Sequence, residues 1–136
     1  MKELFFGGVR FNSIVGDLGL FILRVFAGTS LALAHGLAKV PPSGDFTGSV
    51  VRMGLPGEMA YLSAFVEFVG GLALAAGFMT RPAALAIALN MSAAGFVSHA
   101  ADPYSRAELA FLFLAVAVMF AFVGGGRLSV DRLIRK

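Results

Sequence analysis

Residues 17–38 read DLGLFILRVFAGTSLALAHGLA, with Asp17, Arg24 and His35 as the ionisable side chains. A hydrocarbon core about 30 Å thick is crossed by roughly 20 apolar residues in helical form, so this stretch is long enough to span a bilayer. Its apolar residues surround the segment instead of forming one stripe, as suits a helix with lipid on one side and protein on the other. Continuous helix is the default for such a segment, because an unpaired peptide group in hydrocarbon costs several kcal/mol.

Three further stretches repeat the pattern. Residues 58–79 (EMAYLSAFVEFVGGLALAAGFM) carry Glu67 near the middle, residues 82–99 carry Asn90, and residues 106–123 end at Gly124-Gly125-Gly126. Pro41-Pro42-Ser43-Gly44 closes the first span and opens a polar connection to Gly57. Thr80-Arg81-Pro82 is a tight break that makes the second and third spans antiparallel neighbours, with Pro82 suited to a first helical turn. Met1–Ser13 and Arg127–Lys136 mix apolar and basic residues, as segments lying in the membrane interface do. The expected fold is all-α, a transmembrane four-helix bundle forming a single domain over residues 1–136, with short interfacial segments at both termini. Met1–Ser13 lacks the zones of a cleaved leader, so the first span reads as a retained anchor.

Composition agrees. Of 136 residues, 58% are hydrophobic and 14% charged, against about 25% charged in soluble domains, and the mean hydropathy is +0.85. Disorder requires the opposite balance. Without cysteine the chain makes no disulfide, dithiol couple, cysteine-ligated Fe–S cluster or c-type haem linkage of its own. The pI near 9.8 is explained by distribution. Lys2, Arg10, Arg81, Arg127, Arg132, Arg135 and Lys136 fall on the side of the termini, and Lys39, Arg52 and Arg106 on the other. That bias places both termini in the cytoplasm. No basic stripe with interleaved aromatics points to nucleic acid.

Function is sought at the ionisable groups inside the spans, each costing roughly 2.5–3.5 kcal/mol at a helix centre. Arg24 and His35 lie within about 20° of one helical face, which Gly28 shares and Lys39 extends. On the second span Glu67 and Gly71 share a face with Gly70 beside it, so Gly28, Gly70 and Gly71 are expected to allow close packing of the first two helices. An Arg24–Glu67 ion pair is the favoured contact, within an intramembrane polar pocket of Arg24, His35, Glu67 and Asn90. It reads first as a register-fixing pair and second as a protonatable Glu67 beside a quinone. Lys39, His99 and Glu108 form an outer-face cluster near His35. His35 and His99, at one depth, suit a b-type haem or, with Glu108, a metal, but interfacial histidines more often bond water or a carbonyl, and no metal site is assigned. Asn90 and His99 are about 180° apart on a straight helix and are not expected to face one pocket. Ser105-Arg106-Ala107-Glu108 fits a capping box. The nucleotide-binding P-loop, zincin and nucleophile-elbow motifs are absent from the sequence, which argues against a stand-alone enzyme.

The chain resembles the DoxX family of small bacterial inner-membrane proteins. The resemblance lies in Arg24 and Gly28 followed by His35-Gly36 and Lys39, in Gly54-Leu55-Pro56, and in Glu67 with Gly70-Gly71. It continues through Gly77, Thr80-Arg81 with Ala83-Ala84-Leu85, Glu108, and Gly126 with Leu128-Ser129-Val130-Asp131. It implies a four-helix inner-membrane protein, with some relatives linked to thiosulfate:quinone oxidoreduction and others to membrane complexes handling oxidative stress. The leading expectation is a membrane subunit of a redox complex, interacting with quinone and with a redox partner subunit. The alternatives are a non-catalytic scaffold for a partner and, third, permeation of a small solute or ion. Gly- and Ala-rich helix surfaces also suit a homo-oligomer.

Overall fold

A computed structural model of the chain describes Gly8 and residues 13–135. The expected N-terminal interfacial segment, Met1–Ser13, therefore lies outside the described residues except for Gly8 and Ser13. Regular structure among the described residues is helical throughout. Helix α1 spans Ile14–Lys39, a short α2 spans Gly44–Arg52, α3 spans Glu58–Ala76, α4 spans 80–98, α5 spans Tyr104–Val123, and α6 spans Val130–Ile134. Helices α1, α3 and α5 are long and apolar enough to cross a membrane. Helix α4 has comparable length, and its lower hydropathy follows from Thr80, Arg81, Asn90, Ser92 and Ser98.

The outer surface is apolar. Ile14, Phe26, Leu89 and Phe122 are each at least 70% exposed, an arrangement that water penalises and hydrocarbon accepts. The spanning helices thus lie in contact with the lipid bilayer. Inside, Ala84, Ile87, Ala88 and Met91 of α4 meet Ala117 and Phe120 of α5 in one apolar core, joined by Leu31 of α1 and Leu74 of α3. Small residues on α4 bring the two helix axes together.

Helices α1 and α3 touch backbone to backbone. A Cβ on Gly28 would lie 2.5 Å from the Ala75 amide nitrogen and 2.6 Å from the Gly71 carbonyl oxygen, and one on Gly71 would lie 2.8 Å from the Gly28 oxygen. Gly36, which the sequence reading did not count among the packing glycines, abuts Phe68 at 2.5 Å in the same way. Gly70 does otherwise. Its hypothetical Cβ meets Ile87 of α4 at 3.5 Å and Val66 of its own helix at 3.8 Å, so the α1–α3 contact belongs to Gly28, Gly36 and Gly71.

Three expectations are corrected. The spans are not uninterrupted α-helix, because π-helical stretches occupy Ser30–Gly36, Val66–Gly70 and Ala94–Ser98. The connection to Gly57 contains α2, capped by the Ser43 hydroxyl, which accepts from the Phe46 amide at 3.2 Å. The Ser105–Glu108 box does not cap α5: the helix already begins at Tyr104 with Pro103 at its N-cap, and no side chain caps it. Pro103 sets the helix start two residues too early for Ser105 to serve as its N-cap.

The end of the bundle near the termini is tied together. Chain reversal between α3 and α4 uses the left-handed Gly77 (φ 70°) and Met79 (φ 46°). Asp131 of α6, 2% exposed, accepts from the Met79 amide at 2.7 Å, the Thr80 amide at 2.9 Å and the Thr80 hydroxyl at 2.6 Å. It serves as a remote cap for α4, its charge favourable at a helix N-terminus. Asp17 pairs with Arg127 at 3.2 Å. The C-terminal segment is thereby bonded to the bundle.

Alanine at Gly28 and at Gly70 should separate the two glycine roles. Gly28→Ala must push apart two backbones, an overpacking cost of about 1–3 kcal/mol, and should lower the midpoint of thermal unfolding in detergent. Gly70→Ala gains helix propensity of up to about 1 kcal/mol and should leave the midpoint unchanged or raise it.

Candidate functional site

Glu67 is the buried charge at the centre of the bundle, 2% exposed, on the π-helical turn of α3. Both carboxylate oxygens accept from Lys39 Nζ at 2.7 Å. Oε1 also accepts from Asn90 Nδ2 at 3.1 Å and from the Ser63 hydroxyl at 3.4 Å. Three helices therefore supply one carboxylate: α1 through Lys39, α3 through Ser63, α4 through Asn90. Lys39 sits on the tight turn that finishes α1, and its amine also lies 5.1 Å from the centre of the Phe46 ring on α2.

Beside this cluster is a cavity of about 480 Å³, within the range of small-molecule sites. Glu67, Asn90 and Ser63 give it a polar patch, while Val66, Leu62, Leu89 and Ala93 give apolar walls. Phe46, Ser49 and Val50 of α2, with Met53 just after it, close one side as a lid, and the Ser98 hydroxyl meets Met53 Sδ at 3.3 Å. Leu62 and Leu89 are 54% and 73% exposed, so the cavity reaches the lipid-facing surface between α3 and α4. Lys39 and His99 mark its end away from the termini.

His99 lines this cavity together with Asn90, contrary to the straight-helix expectation. The π-helical stretch Ala94–Ser98 lies between them. One residue inserted into the helical ladder changes the phase by about 100°, enough to swing the two side chains toward a common side. His99 Nδ1 donates to Asp102 Oδ2 at 2.8 Å, and Arg106 Nη1 donates to Asp102 Oδ1 at 3.3 Å. The bond from His99 holds the Asp102 carboxyl below the usual carboxylate range, and the Arg106 guanidinium adds to the effect.

The remaining expected site residues lie elsewhere. Arg24 does not pair with Glu67. It is 1% exposed and donates from Nη2 to the Leu128 carbonyl, its guanidinium occupying the space a side chain on Gly77 would take. Gly77 is about 15 Å along α3 from Glu67. The reason is direction. Helical side chains lean toward their own N-terminus, so Arg24 on α1 leans to the termini end while Glu67 on the antiparallel α3 leans away from it, to Lys39. His35 lies half-buried on the π-helical turn of α1, edge-on to Phe113 with centroids 5.8 Å apart. Glu108 is exposed on α5. The structure thus brings together Glu67, Asn90, Lys39 and His99, and gives His35 and His99 different neighbours. Sequence reasoning did not include Ser63, Phe46, Met53 or Asp102. The signals present were Ser63 four residues before Glu67, Asp102 three after His99, and the helical spacing of Phe46 and Val50 in 44–52.

These features define a multi-span helical membrane protein with a carboxylate-centred cavity between its spans. Residues 19–100, which include Lys39, Glu67, Asn90 and His99, match the DoxX family, and the chain belongs to it. It is 31% identical over 124 residues to "Putative oxidoreductase CatD" of Bacillus subtilis (strain 168), covering 88% of this chain and 90% of that one. It is also 31% identical over 124 residues to "Inner membrane protein YqjF" of Escherichia coli (strain K12), covering 88% and 95%. No solved structure matches.

Removing Lys39 leaves a buried carboxylate without its opposite charge. Breaking a buried pair costs about 3–5 kcal/mol, and Lys39→Met should fall at the low end because that side chain is 31% exposed. Adding Glu67→Gln should recover most of the loss, whereas Arg24→Gln and Glu67→Gln should be additive in thermal unfolding, as residues of separate clusters are. Asp102 gives a pH test. A carboxyl depressed in the folded state contributes stability above its unfolded value, about 3.9, and loses it as pH falls through the folded value. Asp102→Asn should therefore unfold more readily than wild type at neutral pH and converge with it in strong acid.

Proposed function

We propose that this protein is an inner-membrane subunit of a redox complex whose cavity receives the head of a lipid-soluble quinone from the bilayer. The observation that carries this reading is the pairing of apolar walls, open to lipid at Leu62 and Leu89, with a buried polar patch at Glu67, Lys39 and Asn90. A quinone has the matching polarity, a ring with two carbonyl oxygens on an apolar tail. The description of the Bacillus relative as an oxidoreductase supports the same class. Lys39 and Asn90 carry donors for a ring oxygen, and Glu67 is the group within reach that exchanges a proton. Conversion between quinone and quinol moves two electrons and two protons. The electrons pass to or from a redox partner subunit, since the chain has no cysteine to carry them as a dithiol, and the protons pass through Glu67. The excess of Lys and Arg on the termini side, seven residues against three, supports cytoplasmic termini and puts the Lys39–His99 end of the cavity on the opposite face.

Binding of a short-tailed benzoquinone to the purified protein in lipid nanodiscs tests the reading directly. Saturable binding is expected, lost when Ala93→Trp fills the cavity and retained with altered pH dependence in Glu67→Gln. Absence of saturable binding to wild type would overturn it and favour the scaffold reading, in which substitutions at Glu67 change abundance alone.

A further inference from the structure

We propose that His99, held by Asp102 and Arg106, is the group that passes protons between water and Glu67. The two residues share one cavity but differ in access. The Glu67 side chain is 3% exposed and the His99 side chain 36% exposed, so one is sealed inside while the other stands at the boundary with solvent. A sealed carboxylate that exchanges protons requires a relay at the surface.

The chemistry of the rim fits that task. A carboxylate only accepts hydrogen bonds, so the 2.8 Å contact to Asp102 fixes the proton of a neutral imidazole on Nδ1 and leaves Nε2 as the acceptor. Arg106, 3.3 Å from the other Asp102 oxygen, keeps that carboxylate ionised and oriented. Nε2 takes a proton from water, the ring becomes imidazolium, and the proton leaves from the same nitrogen into the cavity. It ends on a Glu67 oxygen, breaking one of the bonds from Lys39. No electrons move in this step. Ser98, Ser49, Ser63 and Asn90 line the same cavity and offer water there hydroxyl and amide oxygens as further partners. The charged groups around the relay are Asp102 and Arg106 at His99, and Lys39 at Glu67. Lys39 touches Glu67 directly, but amines hold their proton far above neutrality, whereas imidazole is the side chain suited to gaining and losing one near pH 7.

The inference rests on Glu67 as the proton-exchanging group proposed above, and it is tested without any quinone, so failure of quinone binding and failure of the relay are separate results. Wild-type protein in nanodiscs is subjected to a rapid drop in pH while the infrared carboxyl band absent from Glu67→Gln is followed in time. His99→Gln should slow its appearance by about 100-fold, the low end of what general acid–base groups contribute, and added imidazole should restore the rate. Asp102→Asn, which keeps the ring but removes the acceptor that fixes its proton on Nδ1, should slow the band as well, with a rate–pH profile that differs from wild type. Unchanged rates in His99→Gln would overturn the relay and assign the transfer to Lys39. Absence of any Glu67-dependent band in wild type would overturn it as well. Slowing that imidazole does not rescue, with an unmoved profile in Asp102→Asn, would mean that His99 is only structural.

Discussion

A carboxylate inside a membrane protein must be paired, and much of this bundle is arranged to pair one. The idealised cost of moving such an ion out of water far exceeds what any single contact returns, and the balance is restored only when the geometry is good and the remaining lone pairs are satisfied. Glu67 meets both conditions through Lys39, Asn90 and Ser63. Lys39 can reach it because α1 runs against α3 with glycine at the contact. Gly28 and Gly71 bring the backbones together at mid-span, and Gly36 lays the end of α1 on Phe68 and Glu67 themselves. A methyl group at these positions would hold Lys39 away from its partner, so the packing glycines and the ion pair form one construction.

The π-helical turns belong to the same construction. Each widens the helix locally and changes its phase, and such turns recur at functional sites. Here they carry His35 on α1, Glu67 on α3 and the approach to His99 on α4. Regular α-helix would satisfy the backbone better and would direct Asn90 and His99 to opposite sides. The irregular segments are packed within the bundle or line the cavity, the places where a membrane protein tolerates departure from regular hydrogen bonding.

Different parts of this arrangement were legible in the sequence for different reasons. The spans were readable because 18 or more apolar residues in a row have few other uses, and the ends of three breaks were readable from Pro and Gly. Glu67 and Asn90 stood out as polar residues at membrane depth. Pairing was another matter. Depth and helical angle placed Arg24 within reach of Glu67, but the lean of each side chain toward its own helix start sends the two in opposite directions. That rule was available from sequence and direction alone, and it favours Lys39. The π-turns had no comparable signal, since VEFVG and AGFVS are compatible with ordinary α-helix, and angles summed across them were bound to misplace His99. The Ser105–Glu108 pattern failed for a local reason, Pro103 having started the helix before Ser105.

The two ends of the bundle are built to different stiffness. Near the termini, Asp131 takes three hydrogen bonds from the start of α4 and its amide gives a fourth to the Gly77 carbonyl at 2.9 Å. Arg24 is pressed against Gly77 and bonded to Leu128. At the opposite end, α2 and the Met53 that follows it rest on the cavity through the buried Val50, the Phe46 ring beside Lys39 and a weak hydroxyl–sulfur contact between Ser98 and Met53. Segments with few buried contacts open at low cost while tightly bonded ones stay closed. Low-cost opening of the cavity therefore falls on α2 and on the exposed side chains between α3 and α4, without separating the helices that hold Glu67 in place. Lys39 links the two regimes, because the amine that neutralises the buried carboxylate also faces the ring of the lid, and a group that competes for one contact disturbs the other.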